Sequence, residues 1–330
     1  MAYSMLPHRR HFLHLAAGAA ALPAVTQIAS AQAYPARPVR LILPYQAGGA
    51  TDIVARLIAN QLSALWGQQV VVENRGGAGG NIGAQAVVQA PPDGYTILVG
   101  SVFLGTNPFL YSSLGYDPAA DLAPVTLICV FPNLMVVPLS SPAKSVQEFI
   151  DFAKANRGKV AFGSSGAGAS PHLSGELFRS LARIEMTHVP YRGGAPALND
   201  LIPGRIDVYF GNLPGQLPQV QSGAIRGLAV TSAKRSAYAP QFPTIAEAGV
   251  PGYDVTSWYA LFMPAKTPAD IIKKVRDDTI AALAHPALKQ KLEEMGADVT
   301  PSTPAELAAH LRSETAKWGP IIKELGIKGE

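Results

Sequence analysis

Leu41-Ile-Leu-Pro-Tyr-Gln-Ala-Gly-Gly-Ala-Thr-Asp52 passes from an apolar run, through a small glycine-bearing turn, to a threonine and an acid. Beyond it Ile53, Val54, Leu57, Ile58, Leu62 and Leu65 recur at helical spacing. The stretch therefore predicts a strand, a tight loop and a helix. Thr51 stands where an N-cap is expected, and Gly67 where the helix should stop. Gly48 and Gly49 allow a sharp turn and leave open space beside the backbone. The first-turn N–H groups of such a helix lack intrahelical partners, and they attract anions. A connecting turn with no ligand gives the same pattern.

The design recurs. Lys159-Val-Ala-Phe162 reads as a strand, Gly163-Ser-Ser-Gly-Ala-Gly-Ala-Ser170 as a glycine-serine loop, and Pro171 onward as a helix to about Ala182. Ser170 fits the N-cap and Pro171 the first helical position. Two such ends in two separate units favour a ligand between them. Between the two lie Gln69–Asn74 and Tyr95–Gly100 as strands, with Arg75-Gly-Gly-Ala-Gly-Gly-Asn-Ile-Gly83 leading into a helix over Ala84–Ala90. The glycines do not make a dinucleotide fingerprint: from Gly77 and Gly79 the third glycine of G-x-G-x-x-G falls on Ile82. Strands alternating with helices predict an α/β fold with a parallel sheet, whose ligands sit at the carboxyl ends of the strands. Asn81 and Ser101 lie at those ends, as do Arg192 in Tyr191-Arg-Gly-Gly-Ala-Pro196 and Asn212 in Gly211-Asn-Leu-Pro214.

Leu127–Val137, broken by Pro132, and Ser257–Pro264 read as strands by which the chain leaves one sheet and returns to it. They divide the chain into residues 34–131 plus 257–330 and residues 132–256. Ser145-Val-Gln-Glu148, Thr267-Pro-Ala-Asp270 and Thr303-Pro-Ala-Glu306 are capping boxes that open amphipathic helices.

Residues 1–33 read as an export signal. His8-Arg-Arg-His-Phe-Leu13 precedes an alanine-rich apolar run, and Ala31-Gln-Ala33 is a cleavage site. Arg9 and Arg10 fit the twin-arginine route, and they also satisfy an ordinary secretory signal. With the leader removed, 25 basic residues face 23 acidic ones, a net charge of +2, which gives no reason to expect nucleic acid. No stretch is long enough for a mature membrane span. Cys129, the single cysteine, permits no internal disulfide. No metal or cofactor motif is present. The trio Ser170, His172 and Glu176 invites a hydrolase reading, but Gly163-Ser-Ser-Gly-Ala167 is not G-x-S-x-G. A hydrogen bond from His172 to Glu176 that steadies the loop is the expectation.

Leu43–Asp52, Val72–Gly83, Pro91-Pro-Asp-Gly-Tyr95, Asn107-Pro-Phe-Leu-Tyr111, Phe162–Gly168, His172-Leu-Ser-Gly-Glu176 and Val189–Pro196 together resemble the Bug family, the substrate-binding proteins of tripartite tricarboxylate transporters. The resemblance spans essentially the whole mature chain. It implies a two-domain periplasmic-binding fold of the Venus-flytrap, type II-like kind with two crossing strands. It also implies a soluble, monomeric, non-enzymic periplasmic protein that needs no cofactor. Its partners would be a small carboxylate and the integral membrane permease subunits. The carboxylate would be held mostly by backbone N–H groups and waters, at Ala47, Gly48, Gly49 and Asp52 on one side and Ser164, Ser165, Gly166 and Gly168 on the other. Many relatives carry an acid where this chain has Gly211, and its absence disfavours an amino-acid ligand. A ligand sensor without transport, or a periplasmic hydrolase, are the alternative functions.

Overall fold

The computed structural model describes Met1 and residues 34–329, so the leader expected over residues 1–33 lies outside the described residues apart from Met1. The first half of the chain forms β1 (Val39–Leu43), α1 (Ala50–Trp66), β2 (Val70–Asn74), α2 (Asn81–Val88), β3 (Thr96–Gly100), α3 (Phe103–Leu110) and β4 (Leu122–Pro138). There follow α4 (Val146–Ala155), β5 (Ala161–Ser164), α5 (Ser170–Leu181), β6 (Thr187–Pro190), α6 (Gly194–Leu201), β7 (Val208–Asn212), α7 (Leu213–Gln221) and β8 (Ile225–Val230). The chain closes with β9 (Thr256–Pro264), α8 (Ala269–Leu283), α9 (Pro286–Glu294), β10 (Asp298–Val299) and α10 (Pro304–Glu324).

The strands connect as one 10-stranded path in the order β2-β1-β3-β9-β4-β7-β5-β6, with β8 and β10 also pairing β4. Pairing is parallel where helices intervene: β1 with β2 and β3, and β5 with β6 and β7. It is antiparallel wherever β4 or β9 takes part, so the all-parallel expectation holds only within each group. Strand β4 is the connecting element. Leu122–Pro132 pairs with β9, and from Asn133 onward β4 pairs with β7 and β8. Pro132 sits at the last β9 pair, where an absent N–H costs no further ladder bond.

Helix α1 shows why the pattern folds this way. Val54, Ala55, Ile58, Ala59 and Leu62 are buried, while Ile53 and Leu65 are on the outer face. Burying Val54, Ile58 and Leu62 contributes about 1.5–3 kcal/mol each. Gly67 ends the helix in the left-handed conformation, φ 61°, as a C-cap glycine should. Ser145 and Thr303 cap α4 and α10 with their side chains, and Thr303 and Glu306 complete a capping box. Glu148, by contrast, accepts from Lys144 N–H rather than from its cap. Thr267 does not cap α8; its hydroxyl donates to Pro264 O at 2.7 Å, and the N-cap is Pro268. Among the described residues no helix is long and apolar enough to cross a membrane.

Candidate ligand-binding site

Helices α1 and α5 begin without a side-chain cap. Their N-cap residues are Gly49, two positions before the expected Thr51, and Ala169, one position before the expected Ser170. Thr51 and Ser170 are instead buried inside the first turn and turn their hydroxyls to each other's neighbourhood. Thr51 Oγ1 donates to Tyr259 Oη (3.0 Å), and Tyr259 Oη donates to Asn212 Oδ1 (3.1 Å). Asn212 Nδ2 donates to Ser170 Oγ (3.0 Å) and to Asn133 Oδ1 (2.7 Å). A continuous polar chain therefore joins the two helix starts through β9, β7 and β4.

Two small cavities adjoin this chain. One, of about 10 Å³, is lined by Tyr45, Thr51, Ser101, Ser165, Ser170 and Tyr259 among others. The second, of about 30 Å³, lies against Gly48, Gly49, Ala50, Thr51, Ser165 and Gln216. Each has room for about one water. A third space of about 430 Å³ opens between the loop Gly76–Gly80 and residues Ser165–Ala167 and Pro190–Arg192. Tyr45 and Ser165 line all three. The Ser165 hydroxyl makes no hydrogen bond among the described residues. A wider apolar groove of about 770 Å³, between α3 and α10, touches none of these loops.

The loops that flank the cavities are in mutual contact. Gln46 N–H donates to Arg192 O (2.9 Å), and Thr106 Oγ1 to Gly168 O (2.8 Å). A Cβ on Gly79 would stand 2.4 Å from Ala167 O.

The residues expected at the site separate into two groups. Gly48, Gly49, Ser101, Ser165, Ser170 and Asn212 line the buried cavities, and Gly166 and Arg192 line the larger space. Ala47, Asp52, Asn81, Ser164, Gly168 and His172 line none of the three. All but Ala47, which is exposed, hold the loops that do. Asp52 accepts from Gly48 N–H (3.1 Å), Asn74 Nδ2 (3.0 Å) and Arg56 Nε (2.9 Å). Burial pushes its carboxyl up, but the hydrogen bonds from Arg56, Gly48 and Asn74 outweigh that and hold it below the ordinary carboxylate range. Asn81 Oδ1 accepts from Asn107 Nδ2 and Tyr116 Oη.

The second loop is held from beneath by two histidines. Ser164 Oγ accepts the Gly166 N–H and shares a 2.7 Å hydrogen bond with His188 Nε2; His172 Nδ1 accepts the Gly168 N–H at 3.1 Å. Their rings stack with centroids 3.8 Å apart. Accepting at Nδ1 places the proton of neutral His172 on Nε2, which faces Glu176 Oε1 only at 3.8 Å. Glu176 is instead paired closely with Arg179. The expected His172–Glu176 bond is thus replaced by a Glu176–Arg179 pair. No hydrogen bond joins Ser170 to His172, because Ser170 donates to Asn133 Oδ1 (3.3 Å). The hydrolase trio is not assembled as nucleophile and base.

Tyr45, Gln216, Tyr259, Asn133 and His188 were not legible as site residues. Their partners lie tens to hundreds of positions away, and no spacing marks them. A glutamine in the first turn of a proline-started helix, right after Asn212, was the available signal for Gln216.

Among the described residues no group of three or more His, Cys, Asp or Glu could hold a metal. Cys129 is buried, and burial pushes its thiol well above the usual range.

An α/β path with two long antiparallel connecting strands, and two helix starts meeting at one polar cavity, defines the periplasmic-binding-protein class. Residues 54–327 match the family described as the tripartite tricarboxylate transporter family receptor, and the chain belongs to it. BugT of Bordetella pertussis (strain Tohama I) is 35% identical over 301 residues, spanning 91% of this chain and 92% of BugT. Two solved structures from Rhodopseudomonas palustris are similar throughout. Rpa4515 with adipate has a TM-score of 0.87 and 41% identity, covering 90% of this chain and 100% of that one. MatC with bound malate has a TM-score of 0.84 and 31% identity, covering 88% and 100%.

Proposed function

We propose that this chain is a periplasmic solute-binding protein that captures a small carboxylate and delivers it to the membrane permease subunits of a tripartite tricarboxylate transporter. The observation that carries this reading is the meeting of two helix N-termini, neither capped by a side chain, at one cavity lined by hydroxyl and amide groups. Positive dipole ends and small polar groups suit an anion, and backbone, hydroxyl and water contacts supply the hydrogen bonds. The carboxylates bound by Rpa4515 and MatC support the ligand class.

The lobes are residues 34–131 with 257–330, and residues 132–256; the change of β4 partners after Pro132 supports this division. The two cavities at the helix starts, of about 10 and 30 Å³, hold no more than a water each, so a ligand seated there enters by the lobes parting, whereas the adjoining space of about 430 Å³ is already of ligand size. Gly48, Gly49, Ser101, Ser165, Ser170 and Asn212 face the ligand, joined by Tyr45, Thr51 and Tyr259. Asp52, Asn81, Ser164, Gly168 and His172 hold the loops. The protein binds without chemistry, as the unassembled trio of Ser170, His172 and Glu176 suggests. Its place is the periplasm, reached through the leader that contains Arg9 and Arg10.

A thermal-shift screen over carboxylates, followed by calorimetry, tests the proposal. A ligand that binds only the folded state raises the melting temperature by mass action, at unit stoichiometry and without product. Turnover of the bound compound, or no shift with any carboxylate, overturns it.

A further inference from the structure

The groove between α3 and α10, of about 770 Å³, has an apolar floor: Leu104, Leu122, Phe262 and Leu311 are 1, 3, 1 and 8% exposed. It shares Pro124 and Ala308 with a neighbouring space of about 620 Å³ between α8 and α10, so the two run into each other along α10.

Charge is not distributed there as in the rest of the chain. Lys273, Arg276, Arg312 and Lys323 line the two spaces against one acid, Asp117, whereas the whole chain carries 27 basic and 23 acidic residues. Asp117 is turned to its own backbone, and its Oδ1 accepts from Ala119 N–H at 2.8 Å. Lys273 and Arg276 are both paired with Asp277. Arg312 and Lys323 are exposed and make no ion pair among the described residues. On α10 they are separated by about three turns, which brings both to one face about 16 Å apart. Lys323 Nζ lies 5.6 Å from the centroid of the Phe109 ring, so a cation and the apolar wall already adjoin.

These features decide the occupant. A stable protein interface buries about 800 Å² on each side. A floor whose residues are at most 8% exposed offers little of that surface. An alkyl chain is slender enough to lie in the groove, and its burial is favourable in proportion to its length. The unpaired cations at the edge select an anionic head, and a guanidinium suits a carboxylate in particular.

We propose that the groove between α3 and α10 is a second binding site, separate from the cavities at the helix starts, for a long-chain carboxylate. Its alkyl body lies along Leu104, Phe109, Phe262 and Leu311, and its head is held by the cations Arg312 and Lys323.

Calorimetry of the mature chain with dodecanoate, below its micelle concentration, tests this site. Dodecanoate is expected to bind at unit stoichiometry and about a hundredfold more tightly than hexanoate, because the apolar surface buried grows with chain length. Dodecylammonium, with the wrong charge, is expected not to bind. Ala316→Phe places a ring in the groove from an exposed position and should abolish dodecanoate binding. Arg312→Gln combined with Lys323→Gln should weaken it about fivefold, the worth of an exposed ion pair, and carries the test if Ala316→Phe does not fold. No binding of dodecanoate, equal binding of dodecylammonium, or dodecanoate binding unchanged by either set of substitutions overturns the proposal; in the last case the chain is held elsewhere. A dimer in small-angle scattering that Ala316→Phe dissociates would assign the groove to a second copy of this chain and overturn it as well.

Discussion

Asp52 sits in the first turn of α1, where its charge opposes any anion brought to that helix start. The structure resolves the conflict by using the carboxylate internally, on Gly48 N–H, Asn74 Nδ2 and Arg56 Nε. The acid thereby fixes the glycine loop, and Arg56 offsets its charge. Asp52→Ala should lower stability by about 1–3 kcal/mol, because the Gly48 and Asn74 donors lose their acceptor in a half-buried setting. Asp52→Asn, which keeps one acceptor oxygen, should lose less. Urea unfolding of the two variants checks the order. Ser165 is the opposite case, a hydroxyl that lines three cavities and bonds to nothing among the described residues. Ser165→Ala should leave the melting temperature within error and weaken carboxylate binding by about 1 kcal/mol, the worth of one hydrogen bond. Calorimetry against a melting curve separates these effects. Both residues stood out in the sequence, since a glycine loop before a helix advertises its own neighbours. What each one touches was not legible. Asn74 and Arg56 are ordinary polar residues until the fold brings them to Asp52.

The elements most legible in the sequence were those with a clear period or a clear stop, such as α1 and its Gly67. Helices α3 and α7 were not read, and both carry internal proline, at Pro108 and Pro218. Proline normally marks a helix boundary, yet both are held in place by packing, with Leu104 and Leu217 buried at 1% exposure. The pair His172 and His188 shows a coupling between elements that no spacing reveals. It links α5 to β6 under the second loop. Burial, the neighbouring His188 and Arg179 pull His172 down to about 2, and burial and Arg179 pull His188 down to about 4. Both are neutral in the fold at pH 7, while the unfolded chain protonates them near pH 6.5. The unfolded state therefore binds more protons below that value. Stability is full above about pH 6.5 and is lost as pH falls toward 4, at up to about 1.4 kcal/mol per pH unit for each histidine. Replacing His188 with Asn should flatten this slope between pH 6.5 and 4. Urea midpoints across that interval give the measurement; an unchanged slope would show that the two rings do not titrate between the folded and unfolded states.

At the scale of the whole molecule, the two long strands β4 and β9 were legible because each is a long apolar run. Their pairing was not, since it brings residues more than a hundred positions apart into register. The contact between the loops Gly76–Gly80 and Ser165–Ala167 depends on glycines that the sequence offered as turn formers. Gly79 is the sharpest instance. Its φ is +59°, and a Cβ there would stand 2.4 Å from Ala167 O and 2.7 Å from Tyr111 Oη. A backbone carbonyl cannot move aside as a side-chain end can. Gly79→Ala should therefore hold the loops apart, and relief comes only by opening the proposed cleft. Two effects must be separated, because alanine at positive φ also costs about 1–2 kcal/mol wherever it is placed. Gly67→Ala supplies the control: its φ is +61°, and nothing lies within 4 Å of its added Cβ. Both variants should lose similar stability. Only Gly79→Ala should lose carboxylate affinity, by about tenfold or more, since the ligand must then bind the closed form against the clash. Small-angle scattering should show ligand-induced compaction in the wild type and in Gly67→Ala, and none in Gly79→Ala. Equal affinity in the two variants would mean that the Gly79–Ala167 contact is not part of closure, and that the ligand is held without bringing these loops together.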